Sequence, residues 1–163
     1  MTTTVELVRN QWRQEKPELD LLAMELVGRL NTLTRLISRD YLEPFLRQHD
    51  LQQGEFDVLA NLRRAGPPYA LAPTQLFETL MISSGGMTNR LDRLENTGLI
   101  ERTPNPDDRR GTLVSLTRHG LDLMDKMLPR YIANQAGALQ ALNHKEQQVL
   151  SLLLGRLIEA LTD

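Results

Sequence analysis

The segment of residues 83–116 carries the side chains best suited to contact a polyanion. Serine, threonine, asparagine and arginine read base edges or bind phosphates in protein–DNA complexes. Side chains of these types lie on one side of a predicted amphipathic helix, at Ser84, Thr88, Asn89, Arg90 and Arg93. Two further arginines, Arg109 and Arg110, lie at the tip of a predicted hairpin. DNA is therefore one candidate ligand for this segment.

The first half of the segment is predicted to be a capped helix. Ser83 or Ser84 can accept a hydrogen bond from a free amide of the first turn, and Gly98 suits the end of a helix. Apolar residues recur at spacings of four and three and are predicted to face inward: Met87, Leu91 and Leu94. Gly85 and Gly86 each cost about 1 kcal/mol relative to alanine inside a helix. Their presence in the first turn indicates a close approach to another molecule.

The second half is predicted to be a β-hairpin. Two β-prone runs, residues 99–103 and 112–117, flank a loop of residues 104–111 that is rich in proline, aspartate and glycine. Thr117 can cap the helix that follows.

The elements before this segment are predicted to be helices. Residues 1–18 read as a polar arm with Trp12 as an apolar anchor, and residues 19–46 as a long amphipathic helix that Pro44 kinks or ends. A second helix is predicted from residue 54 or 55 to Arg64, with Phe56, Leu59 and Leu62 inward, and a third from Pro73. The third helix and the helix of residues 83–97 are joined by a tight turn, and the later one presents polar residues outward. This order predicts a helix-turn-helix.

Two helices are predicted after the hairpin. The first covers residues 118–142, bends at Pro129 and faces inward with Leu121, Met124, Leu128 and Ile132. The last opens with a capping-box variant, Asn143 and Glu146, and continues to about Leu161. Apolar residues cover more of its circumference than one packed face requires, so it is predicted to be buried on two sides. A partner subunit is the simplest explanation, and packing between the long helices of its own chain is the alternative.

Composition restricts the possible functions. A length of 163 residues with 40% hydrophobic content fits one domain, or one compact unit with an arm. The chain has no cysteine, which excludes disulfides, thiolate metal sites and cysteine redox switches. Its net charge of −2 argues against indiscriminate coating of nucleic acid. The absence of a signal-like or membrane-spanning apolar run makes a cytoplasmic location the expectation.

Charge alone does not identify a nucleic-acid interface. Residues 83–118 hold six arginines and five acids, a local balance of only +1. The case for DNA therefore depends on where the arginines are placed and not on their number.

One segment resembles the MarR family of winged helix-turn-helix transcriptional regulators. It is residues 85–120, with the sequence GGMTNRLDRLENTGLIERTPNPDDRRGTLVSLTRHG. It resembles the family's recognition helix, its DxR wing and the LTxxG start of its fifth helix. The resemblance implies a mainly α fold with a small β-hairpin wing. The winged helix-turn-helix core would span residues 51–117. An N-terminal arm and long dimerisation helix (1–50) and C-terminal dimerisation helices (118–163) would complete one compact domain.

The resemblance also implies a homodimer on a pseudo-palindromic DNA operator. Repression is the favoured mode of regulation, because steric occupancy of DNA needs no contact with polymerase. A winged helix that binds proteins without binding DNA is the alternative function.

Residue roles follow from the same resemblance. Arg110 would enter the minor groove, Asp108 would orient the wing, and Arg109 would contact phosphate. On the recognition helix, Arg90 and Arg93 would contact guanine or phosphate and Asn89 would pair with adenine, while Ser84 and Thr88 would fix register on phosphates. Alternatively, Arg90 and Arg93 form surface ion pairs with acids of the same segment: Asp92, Glu95 or Asp107.

Many members of the family are released from DNA by small aromatic or phenolic anions, so an effector is expected as a possible third partner. The candidate residues are Trp12, Arg29, Arg35 and Met81, since an arginine near an aromatic side chain suits a carboxylate-bearing ring. Each also has a plainer role, as a core residue, a solvated charge or a pair across a dimer.

Catalysis is the remaining function class. Three histidines, His49, His119 and His144, are widely spaced, and no catalytic or phosphate-binding motif accompanies them. Without cysteine they form a weak metal-ligand set. We therefore expect no enzyme, no metal and no cofactor.

Overall fold

A computed structural model of the chain describes residues 3–80, 84–106 and 108–162, without the side chains of residues 84, 85 and 108–110. The elements in chain order are α1 (Thr4–Glu15), α2 (Leu22–Ile37), α3 (Glu43–Arg47), α4 (Gln53–Arg64), β1 (Ala70–Leu71), α5 (Pro73–Leu80), α6 (Ser84–Asn96), β2 (Ile100–Asn105), β3 (Asp108–Leu116), α7 (Arg118–Ala138) and α8 (His144–Thr162). The fold is mainly α with a small antiparallel sheet in the order β1-β3-β2, which confirms the predicted fold class.

The predicted N-terminal arm is a helix. Thr3 and Glu6 form a capping box in which the Thr3 N–H donates to Glu6 Oε2 (2.8 Å) and the Glu6 N–H donates to Thr3 Oγ1 (3.3 Å). The pattern Thr-x-x-Glu in the sequence is the signal that could have identified this start. Trp12 lies on this helix and is exposed in the single chain.

The long first helix begins at Leu22 and not at Leu19, because the Asp20 side chain accepts from the Leu22 N–H (3.0 Å) and sets the start. It does not end at Pro44. Residues 38–42 form one π-helical turn, after which α3 continues to Arg47 with Pro44 in its first turn. A proline in the first turn of a helix removes no required donor, so the wider turn lets the chain continue past Pro44.

The core lies in the winged helix-turn-helix. The inward residues predicted for α4 and α6 are buried: Phe56, Leu59, Leu62, Met87, Leu91 and Leu94. They pack with Leu76 of α5, Val114 of β3 and Met124 of α7 in one cluster. α5 begins at Pro73 as predicted, where the Gln75 side chain accepts from the Ala72 N–H (2.8 Å) and compensates for a poor capping residue.

The hairpin is longer than predicted. Strand pairing runs from Ile100 with Leu116 to Asn105 with Asp108, and the register shifts between Pro104 and Asn105. Most of the predicted loop of residues 104–111 is therefore strand, because one irregularity beside Pro104 lets the pairing continue and Pro106 lies in the turn. The short strand β1, whose two residues pair with Ser115 and Val114, was not predicted from the sequence.

The inward face of α7 was predicted wrongly beyond Met124. Met127 and Tyr131 are buried, whereas Leu128 and Ile132 are exposed. The buried side chains follow spacings of three and four from Met124, so Leu128 and Ile132 lie on the flank of that stripe.

α8 opens as predicted, with the Asn143 N–H donating to Glu146 Oε2 (2.8 Å) and the Glu146 N–H donating to Asn143 Oδ1 (3.1 Å). None of its described residues is buried. The alternative of packing within its own chain therefore does not account for its apolar surface. Among the described helices, none has the length and apolar character needed to cross a membrane.

Candidate nucleic-acid interface

The helix α6 presents a polar face above an apolar one. Met87, Leu91 and Leu94 anchor it in the core, while Thr88 and Asn89 are exposed. At its end Gly98 adopts a positive φ of 70°, and the Leu99 N–H donates to the Leu94 carbonyl (3.0 Å). This bonding pattern ends the helix abruptly and turns the chain into β2.

Arg93 of α6 is paired with a buried acid of α4. Its Nε lies 3.0 Å from Oε1 of Glu55, whose side chain is only 3% exposed. The other oxygen of Glu55 accepts from the Gln52 N–H (2.7 Å) at the start of α4. The Glu55 carboxylate thus caps the start of α4 and also pairs with Arg93 on the side of α6. Glu55 was not predicted as a site residue, although Gln52 and Glu55 have the spacing of a capping box.

Arg90 also faces α4. A Cβ placed on Gly54 would overlap the guanidinium of Arg90, so this arginine lies directly against the glycine. Its Nη1 is buried and has no hydrogen-bond partner among the described residues. Arg90 also acts on Asp57 of α4. Burial raises the pKa of Asp57, and the hydrogen bond from the Gln53 amide and the positive charge of Arg90 oppose that rise. No signal in the sequence identified Gly54 as a contact of α6.

Two of the acids predicted to pair with Arg90 or Arg93 pair with Arg102 instead. Arg102 of β2 lies 2.6 Å from Asp92 and 3.4 Å from Glu95. It ties the first strand of the wing to the outer side of α6. The third anticipated partner, Asp107, lies outside the described residues.

The wing residues can be placed by their backbone only. Asp108, Arg109 and Arg110 belong to β3, and their side chains lie outside the described part of the structure, as does the side chain of Ser84. The base of the wing is well defined. Thr117 Oγ1 donates to the Gly98 carbonyl (2.7 Å) and accepts from the Gly120 N–H (3.0 Å), which caps α7 as predicted.

Of the three effector candidates that the structure describes, Arg35 alone lines the cavity between α1 and α2. This cavity of about 400 Å³ is lined by Arg35 together with Arg9, Val5 and Met24, but not by Trp12 or Arg29. Arg29 is paired with Glu25 at 2.5 Å. Met81 lies outside the described residues.

Large exposed apolar side chains are concentrated outside the helix-turn-helix. On α2, α7 and α8 the described ones are Leu22, Met24, Leu26, Val27, Leu30, Leu33, Leu36, Leu128, Ile132, Val149, Leu152, Leu153, Leu157, Ile158 and Leu161. Where such side chains adjoin in one surface, they mark an interaction site in soluble proteins.

A helix-turn-helix with an outward polar face, followed by a β-hairpin wing, defines the winged-helix class of DNA-binding proteins. Residues 49–111 match the MarR family model. The chain is 39% identical to the HTH-type transcriptional regulator PecS of Dickeya dadantii, covering 90% of this chain and 87% of PecS. It belongs to the MarR family and is a DNA-binding transcriptional regulator.

Other relatives agree with this assignment. The multiple antibiotic resistance protein MarR of Salmonella typhimurium is 33% identical over 73% of this chain and 89% of its own length. A crystal structure of a mutant MarR from E. coli complexed with operator DNA superposes with a TM-score of 0.72 and 28% identity. That match covers 90% of this chain and 96% of the MarR chain.

Proposed function

We propose that the chain is a homodimeric repressor that reads a pseudo-palindromic operator with α6 and the wing of each protomer. The observation that carries the proposal is the exposure of Thr88 and Asn89, held outward by the buried apolar face of α6. Side chains of these types bond base edges and phosphates. The MarR mutant solved with operator DNA shares the fold, which supports the same use of α6 here.

The wing supplies the second contact in this proposal. Arg110 enters the minor groove, Arg109 contacts phosphate and Asp108 orients the wing. Thr117, bonded to the end of α6 and the start of α7, holds the base of the wing in a fixed relation to α6. Two such readers, centred about 34 Å apart, would meet successive major grooves on one face of DNA.

The dimer accounts for the exposed apolar residues of α2, α7 and α8. An interface that covers them would bury side chains that water otherwise surrounds, at roughly 25 cal/mol per Å² of apolar surface. A second chain would give α8, which has no buried residue among those described, a packing partner for its apolar side chains. A protein-interaction module without DNA binding is not favoured, because the chain's relatives are transcriptional regulators.

DNA binding is tested by fluorescence anisotropy with a labelled duplex from the region upstream of the chain's own gene. Affinity is expected to fall steeply with salt, because arginine–phosphate contacts release counterions. We expect Arg110→Ala to weaken binding about tenfold or more and to leave the dimer intact. Arg39→Ala is the matched control, since Arg39 is exposed, paired with Asp40 at 2.6 Å and lies outside the winged helix. Equal affinity of wild type and Arg110→Ala would contradict the proposed role of the wing.

We also propose release by a small aromatic or phenolic anion. The cavity between α1 and α2 supports this part of the proposal, because Arg35 lies beside the apolar side chains of Val5, Val8 and Met24 in its lining. Benzoate and salicylate serve as probes in the same anisotropy assay. Release of DNA by either probe in the wild type, and not in Arg35→Ala, is the expected result.

A further inference from the structure

We propose that the first turn of α4 positions the recognition helix, with Gly54 and Glu55 as the positioning residues. Glu55 holds Arg93, and Gly54 leaves the space in which the guanidinium of Arg90 lies. The proposal rests on the proposed function of α6 as the reader of DNA. It assigns Arg90 and Arg93 an orienting role through α4, in place of a direct contact with base or phosphate.

The geometry of Glu55 supports this role. A carboxylate that is 3% exposed is costly to bury unless its charge is paired and its oxygens accept hydrogen bonds. Oε2 is used by the Gln52 N–H, so Oε1 is the oxygen left for Arg93. If Arg93 turned toward a phosphate, it would leave a buried negative charge unpaired. The ion pair therefore resists the movement that direct phosphate binding requires.

The second contact constrains α6 at a different point. Arg90 and Arg93 are three residues apart and lie on the same side of the helix, almost one turn from each other. Both arginines contact the first turn of α4. The helix α4 is itself anchored in the core by Phe56, Leu59 and Leu62. Two contacts along one side fix the rotation of α6 about its axis. That rotation decides where Thr88 and Asn89 point.

Neutralising Glu55 distinguishes two possible roles of Arg93, direct phosphate binding and orientation of α6, because the two roles predict opposite changes in DNA affinity. DNA is a polyanion, so an acid next to a phosphate contact opposes binding. If Arg93 bound phosphate directly, Glu55→Gln would free it and raise affinity. If Glu55 positions α6, the same substitution lowers affinity, because glutamine cannot accept from both the Gln52 N–H and the Arg93 guanidinium without presenting its NH₂ group to one of these donors.

The experiment measures anisotropy with two labelled duplexes, the upstream DNA and a scrambled sequence of equal length. We expect Glu55→Gln and Arg93→Ala each to weaken binding to the upstream duplex about tenfold, with little change for the scrambled one. The double variant is expected to be no weaker than either single variant, since both remove the same pair. Arg93→Lys should recover part of the loss. Glu78→Gln is the matched control, an exposed acid of α5 whose removal should leave binding unchanged or slightly tighter.

Gly54→Ala tests the same idea without weakening the fold. Alanine is the better helix former, and the atoms nearest its Cβ belong to the flexible end of Arg90. We expect an unchanged or higher melting temperature together with weaker binding to the upstream duplex.

Tighter binding by Glu55→Gln, or losses that multiply in the double variant, would overturn the positioning role while leaving DNA binding intact. Unchanged binding by Gly54→Ala would count against it independently of how well Glu55→Gln folds. A wild type that binds neither duplex at low salt would overturn the proposed function and the positioning role with it.

Discussion

Gly120 shows how a single hydrogen atom in place of a methyl group can fix the junction of the wing. A Cβ on this residue would overlap the carbonyl group of Leu99, which is backbone and cannot rotate away. The close approach lets the start of α7 pack against the start of the wing. A flexible arginine or lysine side chain at a DNA surface can change its position. The contact between Gly120 and the Leu99 carbonyl is between backbone atoms and has no such freedom.

We expect Gly120→Ala to lower the free energy of unfolding by about 1–3 kcal/mol, because an added methyl group in a packed site forces a shift of the backbone. Urea denaturation followed by circular dichroism measures the change. Gly137→Ala in the same helix is the control, since its Cβ would meet Tyr41 only at an ordinary distance of 3.7 Å. Equal stability of the two variants would show that the close approach is not needed.

At the residue scale, the sequence predicted what depends on local spacing. The buried faces of α4 and α6, the Thr117 cap and the Asn143 capping box are all local patterns, and the structure confirms them. The partners of Arg93 and Arg102 could not be predicted in this way. Glu55 is 38 positions from Arg93 in the chain, and nothing in the periodicity of either helix places them together. The roles of the wing side chains remain predictions.

At the scale of the element, α1 is attached to the body through a cluster of charges. Arg9 donates to both carboxylate oxygens of Glu25 at 3.1 Å, and Arg29 pairs with the same carboxylate. Glu25 is buried beneath them. Since α1 has no buried residue of its own, this cluster is a main attachment of α1 among the described contacts.

Arg9→Ala is expected to loosen α1. It removes two charged hydrogen bonds and leaves Glu25 with Arg29 alone, at a cost of about 1–3 kcal/mol. Hydrogen–deuterium exchange should rise in residues 4–15 and stay unchanged in the winged helix. Arg13→Ala, an exposed arginine on the same helix, is the control. Protection of residues 4–15 that is equal in both variants would assign the attachment to apolar contacts.

At this scale the limits of sequence prediction are also clear. Pro44 was expected to kink or end a helix. The helix does not end there, because a π turn precedes the proline, and such a turn has no simple sequence signature. The two-residue β1 is too short for any periodicity. Its pairing with β3 arises from the tertiary fold.

At the scale of the whole molecule, the surface of α8 is the feature that a single chain leaves unexplained. We expect replacing Leu153 and Leu157 together by glutamate to abolish the proposed dimer, because buried like charges without partners are strongly unfavourable. Light scattering after size exclusion measures the mass. Lys145→Glu and Glu159→Lys together provide a charge-changing control on the same helix. A dimer that persists in the leucine variant would place the interface elsewhere.

The proposed dimer would also make the free energy of unfolding depend on protein concentration. A partner that binds only the folded chain stabilises it by mass action. The melting temperature of the wild type should therefore rise with concentration, and that of the leucine variant should not.

The joint at Gly98, Thr117 and Gly120 has a consequence for how the proposed dimer could discriminate between DNA sites. The end of α6, the base of the wing and the start of α7 meet there through short bonds and a close backbone contact. We therefore expect α6 and the wing to move together as one rigid unit. In the proposed dimer, the quantity that can then change is the distance between the two winged helices. A DNA site with correct half-sites at the wrong spacing would be rejected as firmly as one with wrong bases.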